Sequence, residues 1–188
     1  LLGINQTIML ALSMLVITAL VGTRDLGQEV YIGLTKADIG RGLIAGLCVA
    51  FISIIAAALS GYFQFYISGA NHILIALYSS IIYMFTETLI MFYFIIMGIK
   101  IKEIIKNNNL DIIKYYKPVL DMKMKLFPHI MVNMIIIGVT FIIGGGVHNN
   151  IISPFFHSSG FFLGILHYSW LIFFQHRCFI RNTELVIL

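Results

Sequence analysis

The sequence has little charge, little cysteine and little proline. Of its 188 residues, 12 are Lys or Arg, 8 are Asp or Glu, 2 are Cys and 3 are Pro. Mean hydropathy is +0.97. Three long stretches, Leu1 to Thr23, Gly42 to Thr86 and Leu126 to His176, carry no formal charge. A soluble domain of this size keeps most of its residues in touch with water, so one core could not hide that much apolar chain. The sequence is therefore that of an integral membrane protein. A span takes about 20 apolar residues to cross roughly 30 Å of hydrocarbon, so the uncharged stretches have room for about five transmembrane helices. The predicted fold class is an all-α, polytopic membrane helical bundle.

Cys48 and Cys178 lie far apart with no CxxC, which excludes a disulfide framework and a zinc knuckle. The net charge of +4 gathers beside apolar runs, as membrane orientation requires, and no nucleic-acid motif is present. The chain opens on Leu and lacks the basic n-region of a signal peptide, so it reads as a piece of a longer protein.

The first predicted span is Thr7 to Gly22, apolar on every face except for Ser13 and Thr18. Thr23 to Arg41 holds Arg24, Asp25, Glu29, Lys36, Asp38 and Arg41 and reads as an interfacial loop with a short amphipathic helix. A second span runs from Gly42 to about Leu59, where Gly42-xxx-Gly46 lets a neighbouring helix come close. Ser60 to Asn71 is an uncharged connection, and His72 to Gly98 is a third span, long enough to tilt. Lys100 to Lys125 is polar and lysine-rich, with a break at Asn107 to Asn109. The fourth span is Leu126 to Ile143, followed by a turn from Gly144 to Pro154. The fifth is Phe155 to Gln175, capped by Arg177 and Arg181.

Lysine-rich loops stay in the cytoplasm, which puts Lys100 to Lys125 there. The third span then runs inward, the fourth outward and the fifth inward. Counting back, the second span runs from inside to outside.

The blocks GINQTIMLALSMLVITALVG, LGQEVYIGL and DIGRGLIAGL, in that order over residues 1 to 57, resemble the C-terminal part of the permease subunit of glycine betaine/proline-type ABC importers. The resemblance implies transport of compatible solutes across the cell inner membrane by alternating access between paired permease subunits. It implies an ABC ATPase subunit and a solute-binding protein as partners, with ATP hydrolysis on the ATPase and no catalytic residue on this chain. Asn5, Gln6, Ser13 and Thr18 would then be polar positions in a bundle or pathway wall. The family topology also implies that Gly42 to Ala57 returns to the cytoplasm, the reverse of the direction given by the lysine loop. Periodicity and composition change near Ala57 as well. The domains predicted are a permease-like piece at 1–57, a connection at 58–71 and a three-helix membrane module at 72–188, joined as in a fusion.

The second module has the richer chemistry. Glu87 is the sole acid within a span, and an ionisable residue at membrane depth marks a functional site. At 1.5 Å per residue it lies roughly 22 Å along its helix from His72, while His167 lies roughly 24 Å from Ile151, so the two can meet. His129 sits one turn from Asn133 on the fourth span. Glu87, His129 and His167 form a candidate metal site or proton relay. His148 and His157 flank the outer turn as a candidate external site. The spacing selects no particular metal, since Glu-x-x-His and His-x-x-x-His are both missing, and a haem would need a second matched histidine pair. The alternatives to transport are thus a metal, haem or redox module in residues 72–188, or a structural membrane subunit. The plain reading of the same residues is a protonated, hydrogen-bonded Glu87 with histidines at interfaces. The Met and Phe residues read most simply as packing and lipid-facing groups.

Overall fold

A computed structural model describes residues 39–64, 66 and 69–186. The chain divides into two compact units, Leu1–Gly42 and Leu43–Leu188. The first predicted span and the loop after it lie outside the described residues. Four helices follow: α1 (Ile39–Phe63), α2 (His72–Asn107), α3 (Ile112–His148) and α4 (Pro154–Val186). The protein is an all-α membrane bundle. Gly42–Phe63, His72–Asn107 and Ile112–His148 are each long and apolar enough to cross a bilayer. The predicted fifth span lies within α4, which falls outside that set because it carries His157, His167, Gln175 and His176 among its apolar residues.

Local chemistry sets the helix ends. The Asn71 side chain accepts from Leu74 N (3.0 Å) to start α2, and Asp111 accepts from Ile113 N (2.8 Å) and Lys114 N (3.4 Å) to start α3. Pro154 opens α4, where its missing N–H costs nothing. The asparagine break after α2 is a tight turn with Asn109 at φ 51°, and Asn150 does the same after α3 at φ 58°. Asparagine is the non-glycine residue that most readily takes this left-handed conformation.

Contacts between consecutive helices fix their sense. On α1 and α2, Ser79 Oγ donates to Ser53 O (2.7 Å), while His72 lies against Ala57 and Ser60, so rising numbers on one meet falling numbers on the other. Tyr83 meets Asn133 and a Cβ on Gly98 would meet Lys123, so α2 and α3 are antiparallel too. Likewise Asn133 reaches Gly164, and His157 lies beside Gly144. From Leu43 onward the bundle runs up, down, up, down.

This arrangement sorts the charges. Lys100, Lys102, Lys106, Lys114, Lys117, Lys123, Lys125, Arg177 and Arg181 all fall at one end, and among the described residues from Leu43 onward the opposite end carries no formal charge. Between Leu43 and Phe63, α1 runs from the lysine end to the uncharged end. That agrees with the direction set by the lysine loop and is opposite to the one implied by the permease resemblance. The end of α1 and the start of α2 lie side by side, since Ser60 Oγ lies 3.3 Å from His72 Nδ1.

Packing is inverted relative to a soluble protein. Ile52, Phe85, Ile135 and Phe173 are exposed, whereas Ser79, Thr86, Glu87, Asn133, Thr140, Gln175 and Asn182 are buried. In lipid the polar groups seek one another and the apolar surface faces outward. α2 and α3 each run far beyond the length of one crossing. The excess forms a helical hairpin at the lysine end, closed by Ile101, Ile105 and Val119 with Tyr115 and Tyr116 packed against them.

Candidate functional site

Within the bundle, buried polar residues line the seam between α2, α3 and α4. Asn133 stands at its centre with no exposed surface. Its Oδ1 accepts from the Tyr83 hydroxyl (2.5 Å), and its Nδ2 donates to Gly164 O (3.0 Å) and to His167 Nδ1 (3.0 Å). Both amide hydrogens and one of the two acceptor sites on the carbonyl oxygen are thus used. Because Asn133 Nδ2 is a donor, His167 Nδ1 must accept, and the ring proton sits on Nε2.

His167 continues into an aromatic group. Its ring centroid lies 5.7 Å from that of His129 and 5.7 Å from that of Trp170, and His129 stands edge-on to Trp170 at 4.8 Å. Trp170 in turn stacks on Phe174 at 5.4 Å. His129 and His167 are therefore brought together, whereas Glu87, the residue whose depth matches that of His167, pairs with Gln175.

Glu87 is also fully buried. Its Oε2 accepts from Gln175 Nε2 (2.5 Å), across α2 and α4. The Tyr168 hydroxyl stands beside the Glu87 carboxyl group, and Gln175 Oε1 is buried without a hydrogen bond. Tyr168 packs edge-on against Tyr83 at 4.9 Å, so the Glu87 pair and the Asn133 group adjoin through two tyrosine rings. Nearer the lysine end, Asn182 Nδ2 donates to the Tyr93 hydroxyl (3.4 Å). Among the described residues no set of three or more His, Cys, Asp or Glu side chains is placed to hold a metal ion.

The chemistry available here is proton holding and hydrogen-bond relay along Tyr83, Asn133 and His167, beside a carboxyl group whose partner is a neutral amide. Gln175 and Tyr168 are absent from the sequence-predicted set. Gln175 is the one Gln within the uncharged run Leu126 to His176, and that isolation is the signal that marks it.

The uncharged end holds a second group. His148 is exposed at the end of α3. The ring neighbour of His157 is His72, a residue the sequence marks only as the start of a span; their centroids are 6.4 Å apart with ring planes at 74°. His72 Nδ1 lies 2.9 Å from Ala57 O, and His157 Nδ1 lies 3.0 Å from Thr140 O.

Comparison with known proteins bears out the permease resemblance over part of the chain. The chain is 47% identical over 53 residues to the glycine betaine/carnitine transport permease protein GbuB of Listeria monocytogenes, covering 28% of this chain and 19% of that protein. It is 52% identical over 52 residues to the glycine betaine transport system permease protein OpuAB of Bacillus subtilis, 28% of this chain and 18% of that one. With the trimethylamine N-oxide transport system permease protein TmoV of Pelagibacter ubique the identity is 54% over 55 residues, 29% of this chain and 8% of the relative. The chain thus spans less than a fifth of the length of these curated relatives. No protein-family model and no solved structure matches it. What the chain shares with these transport permeases is a segment about the length of residues 1–57.

Proposed function

We propose that the chain is a permease-type membrane component of an ABC importer for glycine betaine-like compatible solutes. The observation that carries this reading is the identity of about half the residues in a matched segment to several such permeases, named for glycine betaine, carnitine and trimethylamine N-oxide. In this reading the inner membrane is the site of action, and an ABC ATPase and a solute-binding protein are the partners. Two permease subunits enclose the solute, and ATP is hydrolysed on the ATPase, so this chain has no catalytic residue. Residues 1–57 supply the permease-like piece and residues 72–188 a joined membrane module.

The test is to express the chain with the ATPase and binding protein of a glycine betaine importer, and to measure ATP hydrolysis in proteoliposomes. Stimulation by glycine betaine that needs this chain supports the reading. ATPase activity unchanged by the chain, with no co-purification, overturns it. A read of the gene across codons 50 to 75 tests the join, because a frame break there would separate the two parts.

A second reading is favoured by the buried Tyr83–Asn133–His167 hydrogen bonds beside Glu87. Residues 72–188 would then be a membrane module that carries protons or a redox cofactor. An optical spectrum and metal analysis of the purified protein distinguish it, a colourless and metal-free sample counting against a haem or redox centre.

A further inference from the structure

We propose that His72 and His157 form a transition-metal site at the uncharged end of the bundle, binding one first-row ion, Cu²⁺ most strongly, through their two Nε2 atoms. The inference does not depend on the transport reading. It rests on what holds each ring. A backbone carbonyl can only accept, so the contacts of His72 Nδ1 with Ala57 O and of His157 Nδ1 with Thr140 O place the proton on Nδ1 in both rings. Each Nε2 is then left with a bare lone pair. An Nδ1–H held by a backbone carbonyl is the usual outer-shell support of a metal-binding histidine, because it fixes the tautomer and the ring orientation.

The separation fits a shared ion. An ion about 2.0–2.1 Å from Nε2 lies roughly 3.2 Å from the ring centroid, so two rings on one ion have centroids roughly 5 Å apart at a tetrahedral angle and roughly 6.4 Å apart in line. The observed 6.4 Å matches the in-line limit, the trans arrangement of two imidazoles on a square-planar ion such as Cu²⁺. Both rings are half-buried and sit in notches made by glycine. A Cβ on Gly61 would lie 2.8 Å from His72 Cε1, and one on Gly144 would lie 2.9 Å from His157 Cε1. The two neutral imidazoles suit copper, nickel and zinc, with copper bound most tightly, and solvent completes the coordination.

The His129–His167 pair makes an internal contrast. There Asn133 donates to His167 Nδ1, so His167 Nε2 carries a proton and is no ligand. Ring proximity is similar in the two pairs, but the partner of Nδ1 decides which is ready for a metal.

The experiment uses the full chain purified without a histidine tag, reconstituted in nanodiscs and titrated with Cu²⁺ by calorimetry and electron paramagnetic resonance. One ion per chain, with nitrogen hyperfine structure from two imidazoles, is the expected result. His72→Asn and His157→Asn keep a side-chain N–H where Nδ1–H was and remove the ligand atom. Each should weaken binding at least tenfold, and the pair should abolish it. The double variant His129→Asn/His167→Asn should bind copper as the parent does. Absence of stoichiometric copper, or binding that survives loss of both His72 and His157, overturns the proposal. If an Asn variant fails to fold, Gly144→Ala supplies the second route. Its methyl group pushes on the His157 ring, so unchanged copper affinity and hyperfine structure in that variant would also count as refutation.

Discussion

Asn133 shows how one buried amide can organise three helices. Its carbonyl and its amide hydrogens serve Tyr83 on α2, Gly164 on α4 and His167 on α4. Asn133→Ala should therefore cost more than the loss of one bond, because the Tyr83 hydroxyl and the Gly164 carbonyl stay buried without it. Interhelical hydrogen bonds in membranes contribute about 0.6 kcal/mol on average and up to about 1.7, so a loss of about 1–2 kcal/mol is expected. The shift of the unfolding midpoint in mixed detergent–SDS micelles measures it, and a change below the average single-bond value would contradict the network. Glu87 calls for a different substitution. Glu87→Gln keeps an oxygen for Gln175 Nε2 and removes the titratable proton. If the carboxyl serves only as a hydrogen-bonding group, Glu87→Gln keeps most of the parent's stability, because its amide oxygen still accepts from Gln175 Nε2. Glu87→Ala, which empties a fully buried position, should lose 2 kcal/mol or more by the cavity argument, at about the lower end seen for large core truncations. A Gln variant as unstable as the Ala variant would show that the carboxyl group itself is required.

At the scale of the helices, glycine decides how closely they pack. Gly61→Ala should destabilise the α1–α2 hairpin, since the new methyl group meets the His72 ring on three atoms within 3.1 Å, and overpacking of this kind costs about 1–3 kcal/mol. Gly42→Ala has nothing within 4 Å and should be neutral or stabilising in the same unfolding assay, as alanine is the better helix former. A cycle combining Gly61→Ala with His72→Ala should be clearly non-additive, because removing the ring makes room for the methyl group. Gly42 also shows how far the sequence could be read. Gly42-xxx-Gly46 suggests close approach by its spacing, but only Gly46 meets a neighbour, the Thr86 methyl group at 3.4 Å. Charge gaps located the helices well, because the cost of burying charge in lipid is paid locally. They placed α3 too late, since its lysines and Pro118 disguise a helix whose buried positions, Val119, Met122 and Leu126, continue the spacing of Ile130, Asn133 and Ile137. Depth arithmetic brought Glu87 and His167 to the same level but carries no information on rotation. Tyr168, the next residue and about 100° further round, faces Tyr83, while His167 faces Asn133 on α3. The Glu87–Gln175 and His72–His157 pairs join α2 to α4, parallel helices whose register is set through α3 and is contained in no local pattern.

For the whole molecule, sidedness is the property on which the two readings of the chain meet. The helices from Leu43 onward place every lysine from 100 to 125, together with Arg177 and Arg181, at one end, and the positive-inside rule assigns that end to the cytoplasm. The permease resemblance turns the segment 42–57 the other way. These assignments make opposite predictions for Tyr62, which is exposed near the end of α1. In a background with Cys48 and Cys178 replaced by Ala, single cysteines at Asn109, Asn149 and Tyr62 can be probed with a membrane-impermeant maleimide on right-side-out vesicles. Asn149→Cys should label from outside, and Asn109→Cys only after the membrane is opened. Tyr62→Cys should follow Asn149, because the end of α1 and the start of α2 lie at the same end of the bundle as the α3–α4 turn. If Tyr62 instead labels with Asn109, α1 is inserted in the permease sense and the hairpin seen here does not form in the bilayer. The insertion machinery would then have followed the N-terminal segment, rather than the lysines that come after it.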